Sequence, residues 1–484
     1  TWRAATEAQA PMLEKLARLR ETLRRPAAER SMAEKLAIAA ALQGVEQTVN
    51  MVCRLGATLV LTRLLAPEIY GVFVIIMTVQ IMMLLLTDFG PRALIISMKA
   101  EEAVDPSFIQ TCWTLQILRG AILLPVMCLL GFGLSFGQDA GLFAADSAYS
   151  DADLPAALAV CGLTIFVQGF QSTNQFVHER QLRILRLSMI RIAFFVISPL
   201  LMILLALVTP TVWSMVIAGL IGEAMRVATL AYFVDGPRMR FLIDPRHWRE
   251  IVGHLRWIIS TSGLHVITRE ADNFILGLFV PAQLLGAYFI AKQIASLPIN
   301  MLRGFGGTTS VQVFNRLLEM PDPADRRRQY YRYRLPIDAL CYLLTGTFVA
   351  AGPQIVVLLY DARYAEAGPI VQILALALPL LGSSFVSSAF MAQRRFRVGA
   401  TVMLVDAATL IGVTLTALIA FDSTMMAYFG IALYRLPGVT LLMFWARSEG
   451  WIDLAKEFRL MPAVLLGLAF GWVAGEVILW LGFT

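Results

Sequence analysis

The chain has 484 residues, of which 58% are hydrophobic and only 15% charged, with a formal net charge of +6. Soluble chains of this length carry nearer a quarter charged residues, so a soluble enzyme or regulator is excluded. Nucleic-acid binding is excluded as well, because the basic residues sit in loops between apolar runs, where positive charge orients a membrane protein.

Residues 1–35 are basic and polar. Leu13, Leu16 and Leu23 share one face there, which fits either a helix lying on the inner membrane surface or a solvated tail. The opening Thr in place of Met points to a longer natural chain.

Apolar runs follow near residues 36–62, 70–90, 107–136, 155–177, 183–208, 211–234, 255–280, 285–312, 335–360, 368–391, 396–420, 424–446 and 461–483. Each matches or exceeds the roughly 20 residues that cross a bilayer core. The expected fold is therefore an all-α polytopic membrane protein of 12–14 transmembrane helices. It divides into an N-lobe of six spans over 36–234, a cytoplasmic linker over 235–254 and a C-lobe of six spans over 255–446. An additional C-terminal helix lies within 447–484, and its odd number points to a fourteenth beyond Thr484.

Alternate loops carry the arginines and lysines. Arg92 and Lys99, Arg180 and Arg183, and the linker set Arg238, Arg240, Arg246 and Arg249 are followed by Arg326, Arg327, Arg328, Arg332 and Arg334, then by Arg394, Arg395 and Arg397. The intervening loops hold only Arg63 and Arg363, and the longest of them, QDAGLFAADSAYSDAD, has no basic residue. This alternation places the amino terminus in the cytoplasm.

A repeat runs through the series. RLGATLVLTRLLAPEIYG in the first span and its turn parallels READNFILGLFVPAQLLG in the seventh. The same interval separates Arg54 from Arg269 and Gly71 from Gly286, and TDFGP and RGFGG close the next helices nearly in register. An even number of spans between copies makes this a parallel repeat, with substrate expected between the lobes.

Polar stripes mark the candidate site. Span one presents Gln43, Glu46, Gln47, Asn50, Arg54 and Thr58 on one side, and span seven presents Ser262, His265, Arg269 and Asp272. Charges at that depth cost at least about 2.5–3.5 kcal/mol on insertion scales, so they face protein or a wet cavity. Arg54 and Arg269 either line one anion pocket, where guanidinium forks suit phosphate oxygens, or form ion pairs within a lobe, Arg54 with Glu46 and Arg269 with Asp272. Lys292, Asn300 and Arg303 on span eight extend the positive patch, unless Lys292 simply pairs with an acid. Span four carries Thr164, Gln168, Gln171, Gln175 and His178, amides that suit hydroxyl-rich sugars or glue helices together.

Arg119, Arg191, Arg226 and Arg435 lie within or near the ends of spans, where Arg119 and Arg226 are expected to snorkel or pair locally. The intramembrane acids are Asp88, Glu223, Glu270, Asp272, Asp338 and Asp406. Asp272 and Asp406 are the better candidates for cation coupling, and Asp88 beside Gly90-Pro91 for a hinge or cap. Pro298, Pro379 and Pro437 fall inside spans, where they kink helices.

The phrases LTRLLAPEIYG, LLTDFG, CWTLQILRG, TREADNFILG and LLGAYFIA, in this order and spacing, resemble the multidrug/oligosaccharidyl-lipid/polysaccharide (MOP) exporter superfamily. Within it the match is to the polysaccharide transporter branch of Wzx-like and lipopolysaccharide-exporter-like flippases. The resemblance covers most of residues 36–446. It implies two six-helix lobes around a cavity in the bacterial inner membrane. It further implies movement of an undecaprenyl-diphosphate-linked oligosaccharide from the inner to the outer leaflet, and service to polysaccharide polymerase and chain-length proteins. By position in the repeat, Arg54 and Arg269 would meet the pyrophosphate.

Two other readings are weaker. A cation-coupled small-molecule or multidrug exporter of the same superfamily would have a less basic, more aromatic cavity. A polysaccharide polymerase or ligase would need a large outer loop with a nucleophile and base or a carboxylate pair, and none is present. Without a Gly-Lys-Ser/Thr motif, direct ATP hydrolysis is not expected. Five scattered cysteines without a CxxC pair support neither metal nor disulfides. No enzymatic activity, cofactor or nucleic-acid partner is expected.

Overall fold

The computed structural model describes residues 32–97, 105–457 and 459–480. The surface helix expected within residues 1–30 lies outside them, as do the side chains of 254–262 and 300–312.

The first half comprises α1 (Met32–Leu64), α2 (Pro67–Leu86), α3 (Pro91–Ser97), α4 (Pro106–Asp139), α5 (Leu154–Gly169), α6 (Asn174–Arg180), α7 (Leu185–Val208) and α8 (Val212–Phe233). The second comprises α9 (Pro245–Phe279), α10 (Ala282–Leu318), α11 (Pro323–Leu359), α12 (Ala367–Leu374), α13 (Pro379–Ser384), α14 (Ser387–Ala392), α15 (Phe396–Ile419), α16 (Thr424–Leu433) and α17 (Leu436–Ser448). A short α18 (Leu454–Glu457) and the final α19 (Ala463–Trp480) complete the chain. The protein is a helical polytopic membrane protein, with no strand among the described residues.

Eight helices among the described residues are long and apolar enough to cross a membrane, or nine if the bent pair α5–α6 is one span. The other expected spans fall on α1, α9 and α10, which carry charged residues along their length, and on the broken run α12–α14. Polarity thus concentrates on the helices that carry the candidate site.

Two boundaries differ from the sequence reading. α9 begins at Pro245, inside the expected linker, and α11 begins at Pro323, so Arg326, Arg327, Arg328, Arg332 and Arg334 are helical rather than loop residues. The cause is a repeated Asp-Pro step. Asp244 accepts from the Arg246 N–H and Asp322 from the Ala324 N–H, while proline at the first helical position has no N–H to leave unpaired. Asp105-Pro106 starts α4 in the same way.

The halves meet tightly at the end where α1 gives way to α2. A Cβ added to Gly71 would lie 2.0 Å from the Ala282 carbonyl oxygen, and one added to Gly286 would lie 2.1 Å from that of Pro67. Only glycine permits such backbone approach. The contact is reciprocal, and the same interval that separates Gly71 from Gly286 separates Pro67 from Ala282. Around it, Leu61, Leu65, Ile75, Leu276, Leu285 and Tyr288 form a continuous buried core. Arg363 donates to the carbonyls of Thr62 at 3.2 Å and Arg63 at 3.1 Å, and the Tyr364 hydroxyl donates to Leu65 O at 3.1 Å. Ala282 N–H donates to Asp146 O at 3.2 Å.

α19 packs against α11 through Gly346, Gly467 and Gly471, whose missing side chains bring the two backbones into contact.

Candidate functional site

Three polar helices converge beneath this seal. Gln293 of α10 donates to Thr58 Oγ1 of α1 at 3.1 Å, and Thr58 in turn donates to the Arg54 carbonyl at 2.8 Å. One turn away, Arg54 lies within electrostatic reach of Arg269 and Glu270 on α9. Arg54 is exposed. It makes no ion pair among the described residues. Arg269 is 60% exposed and pairs with Glu270 at 3.2 Å.

Lys292 completes the group. Its Nζ lies 2.7 Å from Asp272 Oδ2 and 3.2 Å from the Arg269 carbonyl, which ties α10 to α9. Tyr288 also donates to Asp272 Oδ2. Asp272 Oδ1 is buried without a hydrogen-bond partner. Asn273 donates to Glu270 at 3.1 Å. Among the described side chains the cluster therefore sets Arg54, Arg269 and Lys292 against Glu270 and Asp272, three cations to two carboxylates.

The ion pairs differ from those anticipated. Glu46 belongs to Arg191 at 3.6 Å rather than to Arg54, and Asp272 belongs to Lys292 rather than to Arg269. Helical spacing brings Arg269 and Asp272 to one side, but α10 packs against that side and offers Asp272 a closer cation. Gln47 is exposed and Asn50 half-buried, two turns and one turn before Arg54 on α1 respectively, and His265 is exposed one turn before Arg269 on α9. The backbone of Arg303 continues α10, but its side chain and those of Ser262 and Asn300 lie outside the described residues.

The glutamines of the fourth expected span form a second, separate set. α5 and α6 meet at a 59° bend, and the freed Phe170 carbonyl accepts from Trp113 Nε1 at 3.1 Å. Gln168 is half-buried beside the bend. Gln171 donates to Gln175 at 3.0 Å and accepts from Arg226 at 3.4 Å, and Arg226 is paired with Glu223. Gln175 Nε2 is buried without a partner.

Two further acids take local partners. Asp406 lies 3.6 Å from Arg435 and apart from the three-helix cluster, with its Oδ1 buried and unpartnered. Asp88 accepts from the Gly90 N–H at 3.0 Å, where Gly90 adopts φ +68, and stands 3.6 Å from Arg119. Arg119 and Arg226 thus pair locally.

Some polar groups were not legible. Gln293 follows Lys292 within an apolar run, and only the docking of α10 on α1 gives it a partner. Glu179 is nearly buried between Arg92, at 2.7 Å, and Arg191. Arg334 is buried with Glu457 at 2.5 Å and Asp338 at 3.0 Å, a triad joining residues far apart in the chain.

Comparison with known proteins bears on this arrangement. A family model described as "Polysaccharide biosynthesis protein" matches residues 60–361. No curated protein matches the chain significantly. Among solved structures, the lipid II flippase MurJ in an inward closed conformation aligns with TM-score 0.69 at 12% identity, covering 92% of this chain and 97% of that one. An inward-facing multidrug resistance MATE family transporter of the MOP superfamily aligns with TM-score 0.63 at 13% identity, covering 85% and 98%. A MOP superfamily transporter from Pyrococcus furiosus, described by a binding pocket of reverse polarity, aligns with TM-score 0.53 at 13% identity, covering 85% and 95%. The fold is that of MOP-superfamily transporters.

Proposed function

The chain belongs to the polysaccharide biosynthesis protein family, and from that membership we propose that it is a flippase for an undecaprenyl-diphosphate-linked oligosaccharide. It would carry the glycan from the inner to the outer leaflet of the bacterial inner membrane by alternating access, with its amino terminus in the cytoplasm. The observation that supports this reading is the electrostatic proximity of Arg54 to Arg269, one from each half of the chain, in a cluster whose described side chains hold more cations than carboxylates. An excess of cations within a membrane protein favours a ligand that brings its own negative charge. A diphosphate supplies that charge twice over.

In this reading Arg54 and Arg269 bind the pyrophosphate, with Lys292 and Arg303 adding positive charge. Gln47, Asn50 and His265, one or two turns away, face the first sugars, and Gln168, Gln171 and Gln175 contact a longer glycan. Asp272 is the coupling carboxylate. Without a coupling cation it holds Lys292; when the cation binds, Lys292 is released toward the phosphates. Asp406 and Asp88 are weaker coupling candidates because Arg435 and Gly90 already engage them. The delivered glycan would pass to polymerase and chain-length proteins.

The test is genetic and chemical together. Arg54→Ala and Arg269→Ala should each abolish surface polysaccharide while the protein still inserts, and mass spectrometry of a deletion strain should find the lipid-linked glycan accumulated on the cytoplasmic side. Normal polysaccharide in both variants at native expression would remove the phosphate role. Accumulation on the outer face would point instead to a polymerase.

A further inference from the structure

The backbone between α8 and α9 does not loop freely into solvent. It runs as a strap against the first turns of α4, and side chains of α4 and α6 hold its peptide groups. Gln110 Nε2 donates to the Arg238 carbonyl at 2.9 Å. Thr114 Oγ1 accepts from the Leu242 N–H at 3.0 Å, and Thr111 Oγ1 from the Asp244 N–H at 3.2 Å. Asn174 of α6 donates to the Pro237 carbonyl at 3.1 Å. Gly236 makes that approach possible, since a Cβ there would sit 2.4 Å from the Asn174 Cγ.

With its backbone held inward, the strap leaves much of its apolar surface exposed, although Met239 turns toward Thr173 and the Phe241 ring rests against Trp113 of α4 with centroids 5.1 Å apart. Phe241 is 68% exposed, and Leu242 and Ile243 are exposed beside it, as are Tyr232 and Phe233 at the end of α8 and Trp248 at the start of α9. Arg238 and Arg240 precede the apolar trio and Arg246 and Arg249 follow it, all exposed. Among the described residues the nearby acids are engaged: Asp244 caps α9, Asp235 pairs with Arg186 at 2.8 Å, and Asp105 lies 3.3 Å from His247. An extended segment in water needs no side-chain partners for its peptide groups, whereas irregular backbone next to hydrocarbon must have them. Apolar residues flanked by arginine, continuous with the aromatic end of a spanning helix, match the headgroup boundary in both polarity and charge.

We propose that residues 237–249 form a lipid-binding anchor, in which Phe241, Leu242 and Ile243 enter the leaflet at this end of the protein and the four arginines hold anionic phospholipid headgroups. The anchor requires only that the chain sit in a membrane, so it stands or falls separately from the glycan reading.

The full chain, with its native cysteines replaced and a spin label on Leu242→Cys, is reconstituted in phosphatidylcholine vesicles containing phosphatidylglycerol. Greater collision with oxygen than with a water-soluble nickel chelate is the expected result. The reverse order places the strap in water, and protection from both reagents means that a second copy or another protein covers it; either outcome overturns the proposal. Native mass spectrometry then compares the wild-type chain with Arg238→Gln, Arg240→Gln, Arg246→Gln and Arg249→Gln. Affinity for phosphatidylglycerol should fall about fivefold for each arginine replaced, and equal retention by all four variants rejects the headgroup contacts.

Discussion

Gln293 donates to Thr58 at 3.1 Å across the two halves, and each partner adjoins a cation of the cluster: Lys292 precedes Gln293, and Arg54 lies one turn before Thr58. Both partners are buried. The bond therefore fixes the distance between α1 and α10 where the proposed diphosphate would sit. Gln293→Leu should cost about 1–3 kcal/mol by leaving the hydroxyl less satisfied. Adding Thr58→Val should cost less than the sum of the single changes, because each removes the same bond. Thermal unfolding in detergent measures the cycle, and strict additivity would show that the contact carries no coupling.

Asp272 and Lys292 make a sharper case. Lys292→Met strands a buried carboxylate that already has one unpartnered oxygen. Breaking a buried pair costs about 3–5 kcal/mol, and because the lysine side chain is 32% exposed the expected loss is nearer 1–3 kcal/mol. Lys292→Met with Asp272→Asn should recover most of the stability. Transport should not recover, if Asp272 is the carboxylate that releases Lys292. Export in the stable double variant would separate the coupling role from the structural one, and wild-type export would end the coupling proposal.

How far the sequence reaches is clear from these residues. The positions of Arg54 and Arg269 in matching phrases, and their placement on polar helices among apolar ones, follow from periodicity and spacing alone. Their ion-pair partners do not. A helical stripe says which residues share a side but not which neighbouring helix will cover it, so Asp272 went to Lys292 and Glu46 to Arg191. The Asp-Pro caps at Asp244 and Asp322 were readable signals that the arginine-rich segments continue as helix. The Arg334–Glu457 pair was beyond reach, because it depends on how the segment after α17 folds back onto α11.

The reciprocal glycines predict a conformational effect. Gly71→Leu or Gly286→Leu cannot be accommodated against the Ala282 and Pro67 carbonyls without separating the halves at that end. Leu65, fully buried in the seal, serves as reporter. In an otherwise cysteine-free chain, Leu65→Cys should resist a membrane-impermeant maleimide, and adding Gly71→Leu should make it reactive. Continued protection would mean that the seal deforms locally rather than opens.

Arg334 should be the most costly charge to remove. It is 2% exposed and binds Glu457 through two nitrogens, Asp338 through Nε at 3.0 Å and the Tyr330 hydroxyl at 2.8 Å. Tyr331 also donates to Glu457 at 2.7 Å. Glu457 lies shortly before α19, so the triad fastens the segment that delivers the last helix to its groove on α11. Arg334→Met leaves two carboxylates in one buried site, and the expected loss is about 3–5 kcal/mol. Neutralising both acids in the same chain, with Asp338→Asn and Glu457→Gln, should restore most of it, since an uncharged buried site of similar volume carries no such penalty. Thermal unfolding compares the variants, and limited proteolysis between Trp451 and Ala463 reports whether α19 comes loose. An Arg334→Met protein that melts like the wild type, with that segment still protected, would show that the triad does not hold the last helix.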